Sequence, residues 1–108
     1  MNPFYLRADF DGAGRTDYVV LITEITSRKE GFAFCFGNGR KPQIVGAGVE
    51  IAVEGGVRGD DFAVFNVWGI AGGCGAAKHE CLFIEQAEAG SGFLIWNGQR
   101  CVWKQGAL

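Results

Sequence analysis

Eighteen glycines, about one residue in six, are scattered through this 108-residue chain and interrupt nearly every window long enough to hold three helical turns. Such a chain cannot build its core from amphipathic helices. The apolar residues, 48% of the total, have to be buried through short strands joined by turns. The glycines keep no Gly-X-Y register, which removes a collagen-like assembly.

The strand pattern follows the period of two. From Asp17 the run Asp-Tyr-Val-Val-Leu-Ile-Thr-Glu-Ile is β-branched and apolar on both parities, the signature of a central strand covered on two sides. Between Gly31 and Gly37, Phe32, Phe34 and Phe36 fall on one face and Ala33 and Cys35 on the other, and Asn38-Gly39 supplies a turn. Asp61–Trp68 and Cys81–Glu85 are further strands between glycine-rich loops. Near the end, Phe93–Trp96 and Gln99–Trp103 flank Asn97-Gly98, the signal for a type I′ hairpin. A turn centred there pairs Trp96 with Gln99 and Leu94 with Cys101. It places Leu94, Trp96, Cys101 and Trp103 on one face and Phe93, Ile95, Arg100 and Val102 on the other. The expected fold is all-β and mainly antiparallel: one β domain over residues 1–108, a meander of about seven or eight short strands forming a curved sheet or a small two-sheet sandwich. The chain is too short for a complete propeller.

Charge and hydropathy exclude several function classes. Ten basic and twelve acidic residues give a net charge of -2, with no basic run to follow a phosphate backbone, so nucleic acid is not an expected partner. No apolar stretch approaches the ~20 residues of a membrane-spanning helix. The opening Met-Asn-Pro-Phe-Tyr-Leu-Arg lacks the charged start and apolar run of a signal peptide. Cys35, Cys74, Cys81 and Cys101 allow three pairings, among which spacing does not choose.

One short segment carries definite chemistry. Asp9-Phe10-Asp11-Gly12-Ala13-Gly14-Arg15-Thr16-Asp17 puts carboxylates at the first, third and ninth positions of a glycine-bearing loop. Calcium takes six to eight hard oxygens, and a tight loop can aim alternate side chains inward while one main-chain carbonyl, here that of Arg15, completes the shell. This loop, followed directly by Tyr-Val-Val-Leu, resembles the calcium loop of FG-GAP and VCBS repeats. Ala13 stands where those repeats usually carry a further Asp or Asn, which leaves one ligand fewer. The closing segment from Glu88 to Gly106 is similar to that of short bacterial proteins with a VCBS-like opening. The resemblance implies a weak Ca2+ site at Asp9, Asp11, Arg15 and Asp17, and a periplasmic or secreted setting. Alternatively, Asp9 and Asp17 only cap backbone amides in an ion-free turn.

Cys74-Gly-Ala-Ala-Lys-His79-Glu-Cys81 gathers two thiols and the only histidine within eight residues. Its spacing fits no standard zinc finger. A Cys–His nucleophile pair would need a third, orienting group, so a local disulfide or two free thiols is the expectation. The loop from Gly69 to Lys78 lacks the Ser or Thr of a phosphate-binding motif. Asp60-Asp61 reads as a solvated turn. Trp68, Trp96 and Trp103 fit either the core or a stacking platform, and Trp96, Trp103 and Phe93 are the candidate ligand or interface residues.

Three functions are therefore carried forward. The first is a non-enzymatic binding or interaction module, calcium-stabilised through the 9–17 loop, whose partner is an unidentified protein or small ligand. The second is a small thiol-dependent enzyme using Cys74 or Cys81 with His79. The third is a structural homo-oligomer joined through the aromatic C-terminal hairpin.

Overall fold

The computed structural model describes residues 4–62, 65–76, 78–86 and 90–106. Among these, ten strands and no helix are found: β1 Tyr5–Ala8, β2 Asp17–Thr23, β3 Glu30–Cys35, β4 Gln43–Gly46, β5 Ala52–Val53, β6 Gly56–Val57, β7 Phe65–Cys74, β8 His79–Gln86, β9 Gly90–Trp96 and β10 Cys101–Gln105. They form a four-stranded sheet in the order β1-β2-β3-β4 and a six-stranded sheet in the order β6-β5-β10-β9-β8-β7. The all-β, mainly antiparallel expectation holds, with ten described strands in place of seven or eight. The meander is broken once, because β5 joins β10 in parallel, Val53 opposite Trp103.

Both sheets contribute to one core. The four-stranded sheet supplies Val19, Phe32, Phe34 and Val45, and the six-stranded sheet supplies Leu82, Ile84, Leu94, Trp96, Cys101 and Trp103. Phe10, Phe36, Ile51 and Phe62 fill the space between them from the connections. Aromatic edges and faces meet across the layers: Phe36 lies 4.9 Å from Trp96 and Phe32 lies 5.8 Å from Trp68. The alternation read for residues 31–37 is thus correct, with Phe32, Phe34 and Phe36 inside and Ala33 and Cys35 half-buried outside.

Four expectations are corrected. β2 is an inner strand of its sheet, but only one of its faces is covered: Val19 is fully buried while Tyr18 is 41% exposed. The apolar residues of its other parity lie on an outer face with Tyr5, Ala33, Cys35 and Ile44. The strand read at 61–68 begins at Phe65, and Ala63 and Val64 lie outside the described residues. It then runs on through Gly69, Gly72 and Gly73 to Cys74, with a register shift between Ala71 and Cys74. Of these glycines, read as loop, Gly69 is paired with Phe83 in the ladder to β8, and Gly72 and Gly73 form the irregularity between Ala71 and Cys74.

The fourth correction concerns the terminal hairpin. Its tip is Gly98-Gln99, with the Asn97 N–H donating to the Arg100 carbonyl at 3.0 Å, Trp96 opposite Cys101 and Leu94 opposite Trp103. A type I′ turn at Asn97-Gly98 would need positive φ at both residues, and only Gly98 has it, at 102°. Asn97 instead uses its side chain, whose Oδ1 accepts the N–H groups of Gln99 and Arg100 at 2.9 Å. The pairing moves by two positions, which preserves parity. Leu94, Trp96, Cys101 and Trp103 therefore still share the buried face, and Phe93, Ile95 and Val102 the half-buried outer one.

Candidate functional site: the acidic loop

Between β1 and β2 the chain makes the 9–17 loop, and Phe10 anchors it. Its ring is 1% exposed and stands edge-on to Phe34 at 5.3 Å, so the residues on either side, Asp9 and Asp11, are fixed at the rim of the core. Gly12 and Gly14 then adopt positive φ of 73° and 79°, which reverses the chain at little steric cost. Asp17 opens β2 and is fully buried.

These constraints bring the three carboxylates together: one oxygen from each of Asp9, Asp11 and Asp17 lies within 4.8 Å of the others. Burying an unpaired carboxylate is costly, and backbone amides offset much of that cost. Asp17 Oδ2 accepts from Phe10 N–H at 2.9 Å and from Asp11 N–H at 3.4 Å, while its Oδ1 accepts from Gly37 N–H at 2.7 Å. Asp9 Oδ2 accepts from Gly14 N–H at 2.8 Å and Asp11 Oδ1 from Ala13 N–H at 3.1 Å. Asp9 Oδ1 is buried with no hydrogen-bond partner. A cation is close by: Arg40 Nη1 lies 3.5 Å from Asp11 Oδ2, and its guanidinium stacks over Trp96 at 4.5 Å and Phe36 at 5.1 Å. Arg15 is exposed and lines a shallow depression with Asp9, Gly14 and Glu80.

The cysteine-histidine segment packs against this loop. Cys74 and Cys81 form a disulfide, which resolves the pairing left open by spacing, and Cys35 and Cys101 are free. His79 faces Gly12, where an added Cβ would stand 3.4 Å from the His79 Cβ, and Glu80 Oε1 accepts the Asp9 N–H at 2.9 Å. The two ring nitrogens of His79 lie 2.8 Å from the Glu80 carbonyl and 3.0 Å from the Trp96 carbonyl. The segment acts as a bracket that ties the acidic loop to β8 and β9.

Of the candidate residues, Asp9, Asp11 and Asp17 converge. Trp96 and Trp103 are core residues, 8% and 4% exposed, and Phe93 is half-buried against Phe83 on the outer face of the six-stranded sheet. The spacing of the loop does not reveal Gly37, Arg40 or Glu80. The Asn38-Gly39 turn, which returns Arg40 toward Asp11, is the one sequence signal that pointed near them. No family model, curated protein or solved structure matches this chain.

Proposed function

We propose that the protein is a non-enzymatic binding or interaction module stabilised by calcium in the 9–17 loop. The observation that carries this reading is the convergence of three carboxylates, one oxygen of each within 4.8 Å of the others, in a cluster where Asp9 also holds a buried oxygen, Oδ1, without a hydrogen-bond partner. The donor set suits a hard cation, since carboxylate oxygens are the ligands calcium prefers. Asp9, Asp11 and Asp17 would supply those oxygens, with the Arg15 carbonyl proposed as a fourth ligand from the resemblance. The disulfide fits the oxidising, exported setting that the resemblance implies. The non-enzymatic part is supported by the bonded sulfurs of Cys74 and Cys81 and by the carbonyl contacts at both nitrogens of His79.

With three carboxylates, affinity belongs in the weak extracellular range, Kd ~10⁻⁴ to 10⁻³ M. At ~1 mM calcium this stabilises the fold by about 0.4 to 1.4 kcal/mol, a few degrees of melting temperature. Ala13→Asp adds a ligand and should enlarge the shift, and Asp11→Ala should abolish it. Thermal melts of wild type and both variants in excess calcium and in chelator test this order. If none of the three responds, the loop is only a turn.

A further inference from the structure

The disulfide and the acidic loop are joined through two residues. His79 and Glu80 lie inside the segment that the Cys74–Cys81 bond closes, directly before Cys81, and both reach the loop. Glu80 Oε1 accepts the Asp9 N–H at 2.9 Å, and His79 packs against Gly12. A less direct route runs through Trp96. Its carbonyl lies 3.0 Å from His79 Nε2, and its ring carries the Arg40 guanidinium that pairs with Asp11. Little besides the disulfide holds the segment in this shape. Regular pairing of β7 with β8 stops at Ala71 opposite Cys81, and beyond the irregularity at Gly72 and Gly73 the one remaining pair is Cys74 with His79. The connection then turns through positive φ at Gly75, 69°, and at Lys78, 53°, a conformation that a lysine resists. Its Lys78 N–H donates to the Gly75 carbonyl at a long 3.2 Å. Cutting the disulfide therefore removes the main restraint on a strained turn. Both cysteines are buried, at 0% and 1% exposed, so a reductant reaches the sulfurs only when this end of the hairpin opens.

We propose that the Cys74–Cys81 bond is a redox switch on the acidic loop: with the bond intact the 74–81 segment holds the 9–17 loop closed, and reduction lets the loop open. The step is thiol–disulfide exchange with a dithiol. One thiolate of the reductant attacks a sulfur of the pair, and its second thiol resolves the mixed disulfide. The reductant leaves as a cyclic disulfide, while Cys74 and Cys81 take up two electrons and two protons and become thiols. For calcium, the inference rests on the reading of the loop given above. An open loop loses the convergence of Asp9, Asp11 and Asp17, so reduction lowers calcium affinity, and by linkage calcium makes the bond harder to reduce by the same factor. A chain still in a reducing compartment would hold an open loop, and oxidation after export would close it.

The test compares the oxidised protein with the same protein kept in dithiothreitol. Hydrogen exchange is followed first in chelator, without calcium. Amides of residues 9–14 are expected to exchange several-fold faster in the reduced protein, while those of the β2–β3 ladder keep their protection. Calcium titration should then give an affinity weaker by about fivefold or more after reduction, and the dithiothreitol ratio that half-reduces the bond should move by the same factor between calcium and chelator. Glu80→Ala, at an exposed position, removes the contact with Asp9 and should shrink the difference in loop exchange between the two forms. Equal exchange of residues 9–14 in both forms overturns the proposal, as does an undiminished difference in Glu80→Ala. A rise that extends through the β2–β3 ladder marks general unfolding and overturns it as well. Loop opening on reduction with no calcium response in either form upholds the switch and sinks the calcium reading alone.

Discussion

Asp17 is the residue on which the acidic loop turns. Fully buried, it accepts three backbone N–H groups from two separate connections, and so fastens the start of β2 to Phe10 and to Gly37. Asp17→Asn would exchange one acceptor oxygen for a donor facing an N–H group, with a cost of about 2–4 kcal/mol read as a lower denaturant midpoint. Arg40 makes a prediction of the opposite sense. It neutralises part of the carboxylate cluster from 3.5 Å, so Arg40→Gln should strengthen the calcium response, by roughly three- to tenfold in affinity for a contact screened by partial exposure. Melting shifts across a calcium titration measure it, and a response unchanged from wild type would show that the guanidinium does not compete for the site. The three aspartates were legible because they lie within nine positions and alternate as calcium ligands do. Their supports were not, because Gly37 bonds to Asp17 across 20 positions and Glu80 to Asp9 across 71, distances at which local spacing carries no information.

At the scale of elements, face assignment was more legible than register. In β9–β10 the alternation alone sorted buried from outer residues, because any shift by an even number leaves parity intact. The position of the turn escaped it, since Asn97 can serve a tight turn either through its own φ or through its side chain, and the second use prevailed. Gly98 keeps a φ of 102°, a conformation that a β-branched residue resists. Gly98→Val should therefore lower stability by about 1–3 kcal/mol, seen as a reduced midpoint with unchanged slope in a denaturant titration. In β2 the two-sided apolar pattern correctly indicated an inner strand but could not say whether a second layer exists to cover its outer face.

The molecule as a whole holds its four cysteines in three environments. Cys74 and Cys81 are joined, Cys35 is half-buried on the outer face of the four-stranded sheet, and Cys101 lies in the core, where burial pushes its thiol well above the ordinary range. A thiol held protonated and enclosed does not alkylate. Iodoacetamide applied to the native protein should therefore label Cys35 alone, and raising the pH from 7 to 9 should not recruit Cys101 until denaturant is added, as peptide mapping by mass spectrometry can show. Labelling of Cys74 or Cys81 without prior reduction would contradict the disulfide.

The parallel contact between β5 and β10 has a consequence for how the chain is made. Val53 leaves the ribosome about fifty residues before Trp103, the residue it lies against in the finished sheet. Until then β5 and β6 have only each other, a two-residue ladder far too small to stand alone in water. The four-stranded sheet can assemble early from neighbours in sequence, yet its aromatic inner face has no cover until β7 to β10 arrive. A product of interrupted translation, ending before Phe65 and so lacking all four of those strands, would thus display Phe32, Phe34 and Phe62 to chaperones and proteases. Quality control could tell it from the full-length protein by exposed aromatic surface alone.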